Sequence, residues 1–368
     1  MGKRILILSN HFITLYNFRR ELIERMIKEG HEVYISMPKA KENSFFSDLG
    51  CKIIETSVDR RGINPIKDLG LVFNYIKIMK KIKPDIIFSY TIKPNIYGCV
   101  ASNITKYKQV SNITGTGATF LKKNMISMIA RILYKISVKK SYKVFFQNSG
   151  DKDYFVENKM ISSNYAMLPG SGVNVDQYSL YELPSTKHTN FIFIGRVMKL
   201  KGIDQYLETA KKIKELHPNT FFYIAGFIEE ERYKAIIDDY HSKGIINYIG
   251  FQKNIKSWIQ KCHCTILPSH GGEGVPNVLL ESAAMGRMCI ASRINGSKDV
   301  IDDGVTGYLY KTGSTEDLTK KVIKVLELDF VSKKQMGLAG RKKVEKEFNR
   351  LSVVNAYMNE VENIKEQS

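Results

Sequence analysis

A glycine-rich turn and a helix start lie together in the stretch from residue 267 to 281, which reads LPSHGGEGVPNVLLE. Pro276 suits the first turn of the predicted helix. The N–H groups of Asn277, Val278 and Leu279 would then point out of the helix start. Together with the helix dipole they form an anion site suited to phosphate.

Two carboxylates flank this helix start. Glu273 lies in the turn, among Gly271, Gly272 and Gly274. Glycines lack a Cβ atom and so let a ligand approach the backbone. Glu281 lies four residues after Asn277, one turn down the same helix face. A carboxylate accepts a strong charge-assisted hydrogen bond from a sugar hydroxyl. The pair could hold the two ends of a nucleotide sugar, although the spacing alone equally fits a capped helix with one first-turn acid and one solvated glutamate.

A second loop carries two cations. Residues 195–202 read GRVMKLKG and fall between a predicted strand and a predicted helix. Arg196 and Lys201 would lie at the carboxyl end of that strand, where they could neutralise a diphosphate leaving group. Taken alone, the same stretch also fits two ordinary loop cations.

The elements that position these residues alternate between short apolar runs and helical patterns. In the first half we predict strands at 4–8, 32–37, 85–89, 109–113 and 143–147, with helices at 17–29 and 66–82. A linker is predicted near 183–186. Strands at 191–194, 220–225, 246–249, 264–268 and 288–292 follow, with helices at 203–216, 230–242, 255–260, 277–284 and 316–328. This alternation predicts two doubly wound α/β halves, with ligands beyond the carboxyl ends of the parallel strands and a cleft between the halves as the expected site.

Several common nucleotide and hydrolase motifs do not occur. The residues after the first predicted strand read SNHFIT, without the glycine fingerprint of a dinucleotide-binding fold, and Gly115-Thr116-Gly117 lacks its third glycine. The chain contains no P-loop motif and no G-x-S-x-G elbow. A nicotinamide- or flavin-dependent oxidoreductase and an α/β hydrolase are therefore disfavoured.

Four ordered motifs resemble a known family. G-R-x4-K-G, followed some 70 residues later by E-x7-E, is similar to the retaining nucleotide-sugar glycosyltransferases of family 4, which have the GT-B fold. Residues 169–174 (PGSGVN) and 303–309 (DGVTGYL) match two further family segments. The resemblance covers nearly the whole chain and implies two Rossmann-like, doubly wound parallel-sheet domains facing a cleft. Residues 1–185 would bind the acceptor, the C-terminal helix at 350–368 would cross back to them, and residues 186–349 would bind a UDP-sugar.

The resemblance also implies roles for the donor-site residues. Arg196 and Lys201 would contact the diphosphate, Glu273 the sugar hydroxyls and Glu281 the ribose. In this family cations and a helix N-terminus replace a metal ion, so neither a metal nor a cofactor is expected. The remaining implied donor contacts are the glycine turn at Gly274, the backbone of Asn277 and Val278 at the distal phosphate, and the segment containing Gly250 and Phe251 at the base.

The chain departs from the family pattern near the reacting carbon. Many members carry a Gly-Gly turn after the first strand and a histidine after the strand near residue 113, and neither occurs here. The expected acceptor or reaction-centre contacts are Asn10, His11, Arg19, Thr114, Gly115 and Thr116. A lone histidine in a loop also fits a solvated or packed side chain. The variant resembles the subgroup that builds bacterial surface polysaccharides or lipid-linked oligosaccharides, whose acceptor is a sugar linked to polyprenyl diphosphate.

The net charge is +19, and residues 101–150 contain nine basic and no acidic residues. Met125, Met128, Ile129, Ile132 and Ile136 share one face of a predicted helix, flanked by Lys122, Lys123, Arg131, Lys135, Lys139 and Lys140. A basic amphipathic helix can lie on an anionic bilayer, and it can equally cover a sheet with a solvated basic back. The irregular set of five cysteines favours a reducing cytoplasm. We therefore expect a cytoplasmic protein, peripheral on the inner face of the cell membrane.

Alternative functions remain open from the sequence. A nucleotide-sugar 2-epimerase shares the two-half architecture, and a basic nucleic-acid-binding protein would fit the charge but not the scattered aromatics of 101–150. We expect no nucleic-acid partner. Asp151-Lys152-Asp153 could suggest a metal-dependent transferase, but it follows Ser149-Gly150, where a helix start gathers acids. Cys262-His263-Cys264 has no second metal-binding pair, and we predict a core strand there.

Overall fold

The computed structural model of the protein describes residues 2–59, 64–115, 125–185 and 187–364. The chain forms two compact units. The first contains residues 1–171 together with 351–368, and the second contains residues 172–350. Each unit is built around one sheet of parallel strands, as the alternation of short apolar runs with helices predicts.

The first unit contains a seven-stranded sheet in the order β3-β2-β1-β4-β5-β6-β7. Its strands are β1 (Arg4–Leu8), β2 (Glu32–Met37), β3 (Lys52–Glu55), β4 (Ile86–Tyr90), β5 (Gln109–Ile113), β6 (Lys143–Phe146) and β7 (Tyr165–Met167). The strand order reverses between β1 and β4. In a doubly wound sheet the loops that follow such a pair open a crevice for ligands.

The helices of this unit cover both faces of the sheet. They are α1 (Phe12–Lys28), α2 (Ser44–Asp48), α3 (Pro65–Ile82), α4 (Ile92–Thr105), α5 (Met125–Val138), α6 (Ser149–Glu157) and, at the C-terminal end of the chain, α14 (Arg350–Asn363). The predicted start of the first helix at residue 17 is wrong. The helix begins at Phe12 because Nδ1 of His11 accepts a hydrogen bond from the N–H of Ile13 at 3.1 Å, a capping role that histidine rarely has.

The two faces of this sheet contact different helices. Ile5, Ile7 and Phe88 pack in one buried cluster with residues of α1 and α14. Leu6, Leu8 and Ile87 face the other side, where α3 and α4 cover them. Strands of a parallel sheet that are buried on both faces are apolar throughout, which explains why no polar alternation appears in these runs.

The second unit contains a six-stranded sheet in the order β10-β9-β8-β11-β12-β13. Its strands are β8 (Thr189–Ile194), β9 (Thr220–Ala225), β10 (Asn247–Gly250), β11 (Cys264–Leu267), β12 (Met288–Ser292) and β13 (Gly307–Tyr310). Its helices are α7 (Ile203–Leu216), α8 (Tyr233–Ser242), α9 (Lys256–Lys261), α10 (Asn277–Ala284), α11 (Ser297–Val300), α12 (Thr315–Glu327) and α13 (Phe330–Glu347). Strand order again reverses at β8 and β11, so the loops after these strands form the expected ligand crevice.

The boundary between the units differs from the predicted one at 185. The predicted linker packs on the second unit, where the buried guanidinium of Arg287 donates to the carbonyls of Tyr181 (3.0 Å) and Glu182 (2.8 Å). Nε2 of His263 lies 3.0 Å from the carbonyl of Pro184. The loss of an apolar period at 183–186 indicated a free linker, whereas the carbonyl of Pro184 within it, and those of Tyr181 and Glu182 just before it, are contacted by two buried side chains. Among the described helices, none is both long and apolar enough to cross a membrane.

Candidate active site

The loop after β8 and the loop after β11 are joined at the carboxyl edge of the second sheet. Gly202 has φ +73°, and a Cβ atom there would lie 1.9 Å from the carbonyl oxygen of Pro268. The N–H of His270 donates to the carbonyl of Leu200 at 2.9 Å. Only glycine allows this approach, which fixes the 3₁₀ turn Lys199–Lys201 against the glycine-rich turn.

This junction brings two predicted catalytic side chains together. The ammonium of Lys201 forms an ion pair with the carboxylate of Glu273. The hydroxyl of Ser269 donates to the same carboxylate oxygen at 2.9 Å. Both members of the pair are about four fifths buried. An ion pair in such a place is less screened than one on the surface, so the two groups hold each other's orientation.

Arg196 lies on the same loop but has a different partner. Its guanidinium pairs with the carboxylate of Glu229 at 3.4 Å and is 44% exposed. Exposed pairs of this length contribute little to stability. The guanidinium can therefore exchange Glu229 for an incoming phosphate at small cost.

The helix start is arranged somewhat differently from the prediction. Pro276 lies at the N-cap with φ −69° and ψ 112°, and α10 begins at Asn277. The N–H of Leu279 already donates to the carbonyl of Pro276 at 3.1 Å, so the predicted involvement of Leu279 is wrong. The N–H groups of Asn277 and Val278 come from the first two helical residues, which have no acceptor within an α-helix. These two groups are the donors that the start of α10 offers to an anion.

The glycine turn before α10 is held in place by a second close backbone contact. A Cβ atom on Gly296, which has φ +80°, would lie 1.8 Å from the carbonyl oxygen of Gly274. The hydroxyl of Ser292 also donates to the carbonyl of Ser269. The end of β12 and the segment that follows it therefore support the turn at both of its ends, and this rigidity positions Glu273.

Glu281 lies one turn into α10, where it is partly buried. Burial raises the pKa of its carboxyl to about 7, opposed by a hydrogen bond from the side chain of Tyr178 and by the charge of Arg350. Near neutral pH both the protonated and the ionised form of this carboxyl are therefore populated. The ionised carboxylate is the form that accepts hydrogen bonds from a diol.

Two predicted base contacts lie at the end of β10. Gly250 has φ +64°, and its carbonyl accepts from the N–H of Gly226 at 2.9 Å. The ring of Phe251 is 68% exposed. The hydroxyl of Tyr248 donates to the carbonyl of Gly226 at 2.9 Å. These bonds align the loops after β9 and β10 at the same carboxyl edge.

The first unit brings four of the six predicted acceptor contacts to the carboxyl edge of its sheet. Asn10 and His11 follow β1, while Thr114 and Gly115 follow β5. His11 is partly buried and caps α1, which orients its ring. Thr116 lies outside the described residues.

Arg19 is placed in the interior of the first unit, with 3% of its surface exposed. Its guanidinium carbon lies 4.9 Å from the ring centre of Tyr90 and 5.4 Å from that of Tyr357. These cation–π contacts join α1, β4 and α14. The predicted acceptor contact at this residue thus has a packing environment that the sequence did not indicate.

No group of three or more metal-ligating side chains lies together in the described ranges 2–59, 64–115, 125–185 and 187–364. Asp151 falls in the first turn of α6, and its N–H donates to the capping side chain of Asn148 at 2.8 Å. The prediction of an acid at a helix start is confirmed. Cys264 begins β11, while Nδ1 of His263 accepts from the N–H of Asn190 at 3.1 Å.

Sequence reasoning missed three side chains that surround the site. Ser269 bonds Glu273, Glu229 pairs with Arg196, and Tyr178 bonds Glu281. Ser269 lies in the same motif as Glu273, so its position four residues earlier was an available signal. The other two are distant in the chain, and no spacing connects them with their partners.

Two family models match the chain. Residues 4–148 match "Glycosyl transferase 4-like", and residues 182–343 match "Glycosyl transferases group 1". The matches together span more than four fifths of the chain. The chain also has two sheets of parallel strands covered by helices, and a cation–carboxylate site at the carboxyl edge of the second sheet. The protein is a glycosyltransferase of the GT-B fold and belongs to the family that these two models together describe.

Characterised relatives are similar over most of their length. The chain is 25% identical over 341 residues to N,N'-diacetylbacillosaminyl-diphospho-undecaprenol alpha-1,3-N-acetylgalactosaminyltransferase of Campylobacter jejuni, covering 88% of this chain and 89% of that protein. It is 23% identical to the UDP-Gal:alpha-D-GlcNAc-diphosphoundecaprenol alpha-1,3-galactosyltransferase of Escherichia coli, with 73% of each chain covered. It is also 23% identical to the capsular polysaccharide biosynthesis glycosyltransferase CapM of Staphylococcus aureus, with 92% of each covered.

Solved structures share the fold. A glycosyltransferase from Rickettsia africae superimposes with a TM-score of 0.80 at 19% identity and full coverage of both chains. Anabaena Alr3699/HepE in complex with UDP-glucose gives a TM-score of 0.80 at 14% identity, covering 98% of this chain and all of that one.

Proposed function

We propose that the protein transfers a sugar, a hexose or an N-acetylhexosamine, from a UDP-sugar to a saccharide carried on a polyprenyl diphosphate. The reaction retains the configuration of the anomeric carbon and serves the synthesis of a bacterial surface polysaccharide. The observation that carries this proposal is the similarity, over most of the chain, to two enzymes whose names specify an undecaprenyl-diphosphate-linked acceptor.

The donor site supplies the charges that this reaction needs. The N–H groups of Asn277 and Val278 and the side chains of Arg196 and Lys201 would receive the diphosphate. Positive charge placed where negative charge develops lowers the barrier to departure of a leaving group. Lys201 is already oriented by Glu273, so the site is organised before the substrate arrives. These groups would perform the neutralisation without a metal ion, as the resemblance to the family implies.

The proposed step breaks the bond between the anomeric carbon and the diphosphate oxygen. The diphosphate leaves first, the acceptor hydroxyl adds from the same face, and its proton passes to the departing phosphate. Glu273 would hold ring hydroxyls of the sugar and Glu281 would accept from the ribose. Both carboxylates then act through hydrogen bonds, and neither forms a bond to carbon.

Contact with a membrane is part of this proposal, because the acceptor is a lipid. Tyr134 and Val138 on one face of α5 pack against the sheet. The apolar face that the sequence singles out is turned to solvent instead, with the following fractions exposed: Met125 72%, Met128 56%, Ile129 44%, Ile132 49% and Ile136 64%. The alternative in which this face covers the sheet does not hold.

Of the basic residues beside this apolar face, Lys135, Lys139 and Lys140 are exposed, whereas the guanidinium of Arg131 lies 5.8 Å from the ring of Tyr154. Lys122 and Lys123 lie outside the described residues.

The test is a transfer assay with a panel of UDP-sugars and a polyprenyl-diphosphate-linked monosaccharide in vesicles. We expect the mass of the lipid-linked product to rise by one sugar, with the original anomeric configuration by NMR and undiminished transfer in EDTA. An epimerised nucleotide sugar formed without acceptor would instead support the 2-epimerase. Salt-sensitive binding to RNA without transfer would support the nucleic-acid-binding alternative.

A further inference from the structure

A second helix of the first unit exposes apolar side chains. On α3, Ile66 is 82% exposed, Leu69 57% and Phe73 62%. Their spacing of three and four residues puts them on one helix face. The opposite face, with Leu71, Tyr75 and other residues, is buried against the sheet.

The exposed faces of α3 and α5 both combine apolar side chains with lysines near the C-terminal end. On α3 the three apolar side chains occupy the first half, and Lys77, Lys80 and Lys81 are exposed near the end. On α5 the apolar positions run from Met125 to Ile136, and the exposed lysines end with Lys140, just beyond the helix. On α3 the apolar part thus precedes the basic part, whereas on α5 the apolar face runs almost the whole length of the helix, with Lys135 beside it and Lys139 and Lys140 just beyond its end.

The two helices cover the same face of the sheet. Leu6 is the register partner of Ile87, and Ile87 is that of Gln109. Ser111, on the same side of β5 as Gln109, is paired with Val144, and register partners in a parallel sheet point to the same side. Ile87 lies in the cluster beneath α3 and Val144 in the cluster beneath α5.

The two helices also run in the same direction. Each connects two parallel strands of one sheet, so each runs opposite to the strands. The N-terminal halves of both therefore lie toward the carboxyl edge, where Asn10, His11 and Thr114 are. The apolar side chains of α3 lie in its half nearer this edge, and those of α5 extend from this edge along the helix, with α4 packed between the two helices. The lysines of both helices lie further from the edge, and on α3 Lys80 follows Phe73 by about 10 Å at 1.5 Å per residue.

We propose that α3 and α5 together are a two-point membrane contact that sets the orientation of the first unit on an anionic bilayer. The exposed apolar side chains of both helices enter the boundary between headgroups and acyl chains, and the exposed lysines lie at the level of the anionic headgroups. This contact turns the carboxyl edge of the sheet toward the lipid surface, where the diphosphate of a lipid-linked acceptor lies. A single helix could roll about its own axis, whereas two contacts prevent rolling. The inference rests on the proposed lipid-linked acceptor and adds α3 as the second contact.

The test uses depth-dependent quenching of tryptophan fluorescence by brominated lipids. The only tryptophan of the chain, Trp258, is first replaced by Phe. Single tryptophans are then introduced by Phe73→Trp on α3 and Ile132→Trp on α5. The control is Ile104→Trp, because Ile104 is 58% exposed and lies near the C-terminal end of α4, at the opposite edge. The probe is vesicles of phosphatidylcholine with about one third phosphatidylglycerol.

We expect the emission of the tryptophans at 73 and 132 to shift to shorter wavelength and to be quenched several-fold more than that at 104. Phe73→Ser should weaken vesicle binding by about 10- to 100-fold, the range for exposing a buried Phe side chain, while Ile104→Ser leaves it unchanged. Replacing Lys77, Lys80 and Lys81 with Gln should cost roughly fivefold per lysine.

Quenching at 132 without quenching at 73 would overturn the two-point contact and leave the α5 contact intact. A blue shift at 73 that grows with protein concentration in the absence of vesicles would assign this face to a second copy of the chain and would also overturn it. Transfer to the acceptor in detergent tests the proposed function separately. A variant that transfers in detergent but does not bind vesicles disproves only the membrane contact.

Discussion

The ammonium of Lys201 and the carboxylate of Glu273 are paired across two loops that are 72 residues apart in sequence. The pairing depends on Gly202, where a Cβ atom would collide with the carbonyl of Pro268. Each group is predicted to bind a different part of the donor, the diphosphate and the sugar. Their contact would therefore couple the diphosphate end and the sugar end of the donor site.

Replacing either member of this pair should lower turnover. Lys201→Ala and Glu273→Gln are each expected to reduce kcat by about 100-fold or more, the magnitude for removing one preorganised charge. The double variant should be much less impaired than the product of the single effects, because paired groups act as a unit. Initial rates with saturating donor check this. Lys199→Ala, an exposed neighbour on the same turn, is the matched control. Fully multiplicative effects would contradict the coupling.

The backbone N–H of Asn277 can be tested with a pair of substitutions. Asn277→Pro removes this N–H, and proline is well tolerated at the first helical position. Asn277→Ala keeps the N–H and removes only the side chain. We expect UDP affinity by calorimetry to fall about tenfold in the proline variant, the equivalent of 1.4 kcal/mol for a hydrogen bond to a charged group. The alanine variant should bind nearly as well as the wild type. Equal affinities for both variants would exclude a phosphate at this N–H.

Glu281→Gln should flatten the dependence of stability on pH. The pKa of Glu281 is raised by burial from 4.5 to about 7, so between these values the folded chain holds a proton that the unfolded chain releases. The resulting stabilisation is fully present below pH 4.5 and is lost as the pH rises through 7.

Urea unfolding at pH 4.5 and pH 8 measures this effect. The free energy of unfolding should fall more in the wild type than in Glu281→Gln over this range, by on the order of 3 kcal/mol. Glu215→Gln, at an exposed position, should behave as the wild type does. If Glu281→Gln retained the full pH dependence, the raised pKa would be refuted.

The sequence identified most elements of both sheets because buried parallel strands are short, apolar and bounded by turn residues. It missed β3, β7 and β13, which have three or four residues each, and the helices α2, α4, α11 and α13. The exposed apolar face of α5 could not be assigned either, because its pattern fits both a buried and an exposed helix. Motif residues were predictable where both partners lie in one loop, as for Glu273 and the start of α10. Contacts between distant segments, such as Tyr178 with Glu281, leave no local pattern.

Arg287 is a residue whose contribution to stability also depends on contacts between distant segments and leaves no local pattern. It reads as an ordinary cation in sequence, yet its guanidinium donates to five backbone carbonyls. Arg287→Met should leave these carbonyls unsatisfied and cost about 1–3 kcal/mol or more, the penalty for buried polar groups that lose their hydrogen-bond partners. Urea unfolding measures this loss. Arg293→Met removes an exposed pair with Asp303 and should cost less than about 1 kcal/mol. A loss equal to that of the control would contradict this role.

The most direct test of the donor site is a crystal structure with UDP bound. We expect the diphosphate within hydrogen-bond distance of the N–H groups of Asn277 and Val278 and of the Lys201 ammonium, with the ribose hydroxyls on Glu281. UDP bound elsewhere, with the start of α10 and both carboxylates out of reach of the ligand, would contradict the proposed donor site and the catalytic roles assigned to it.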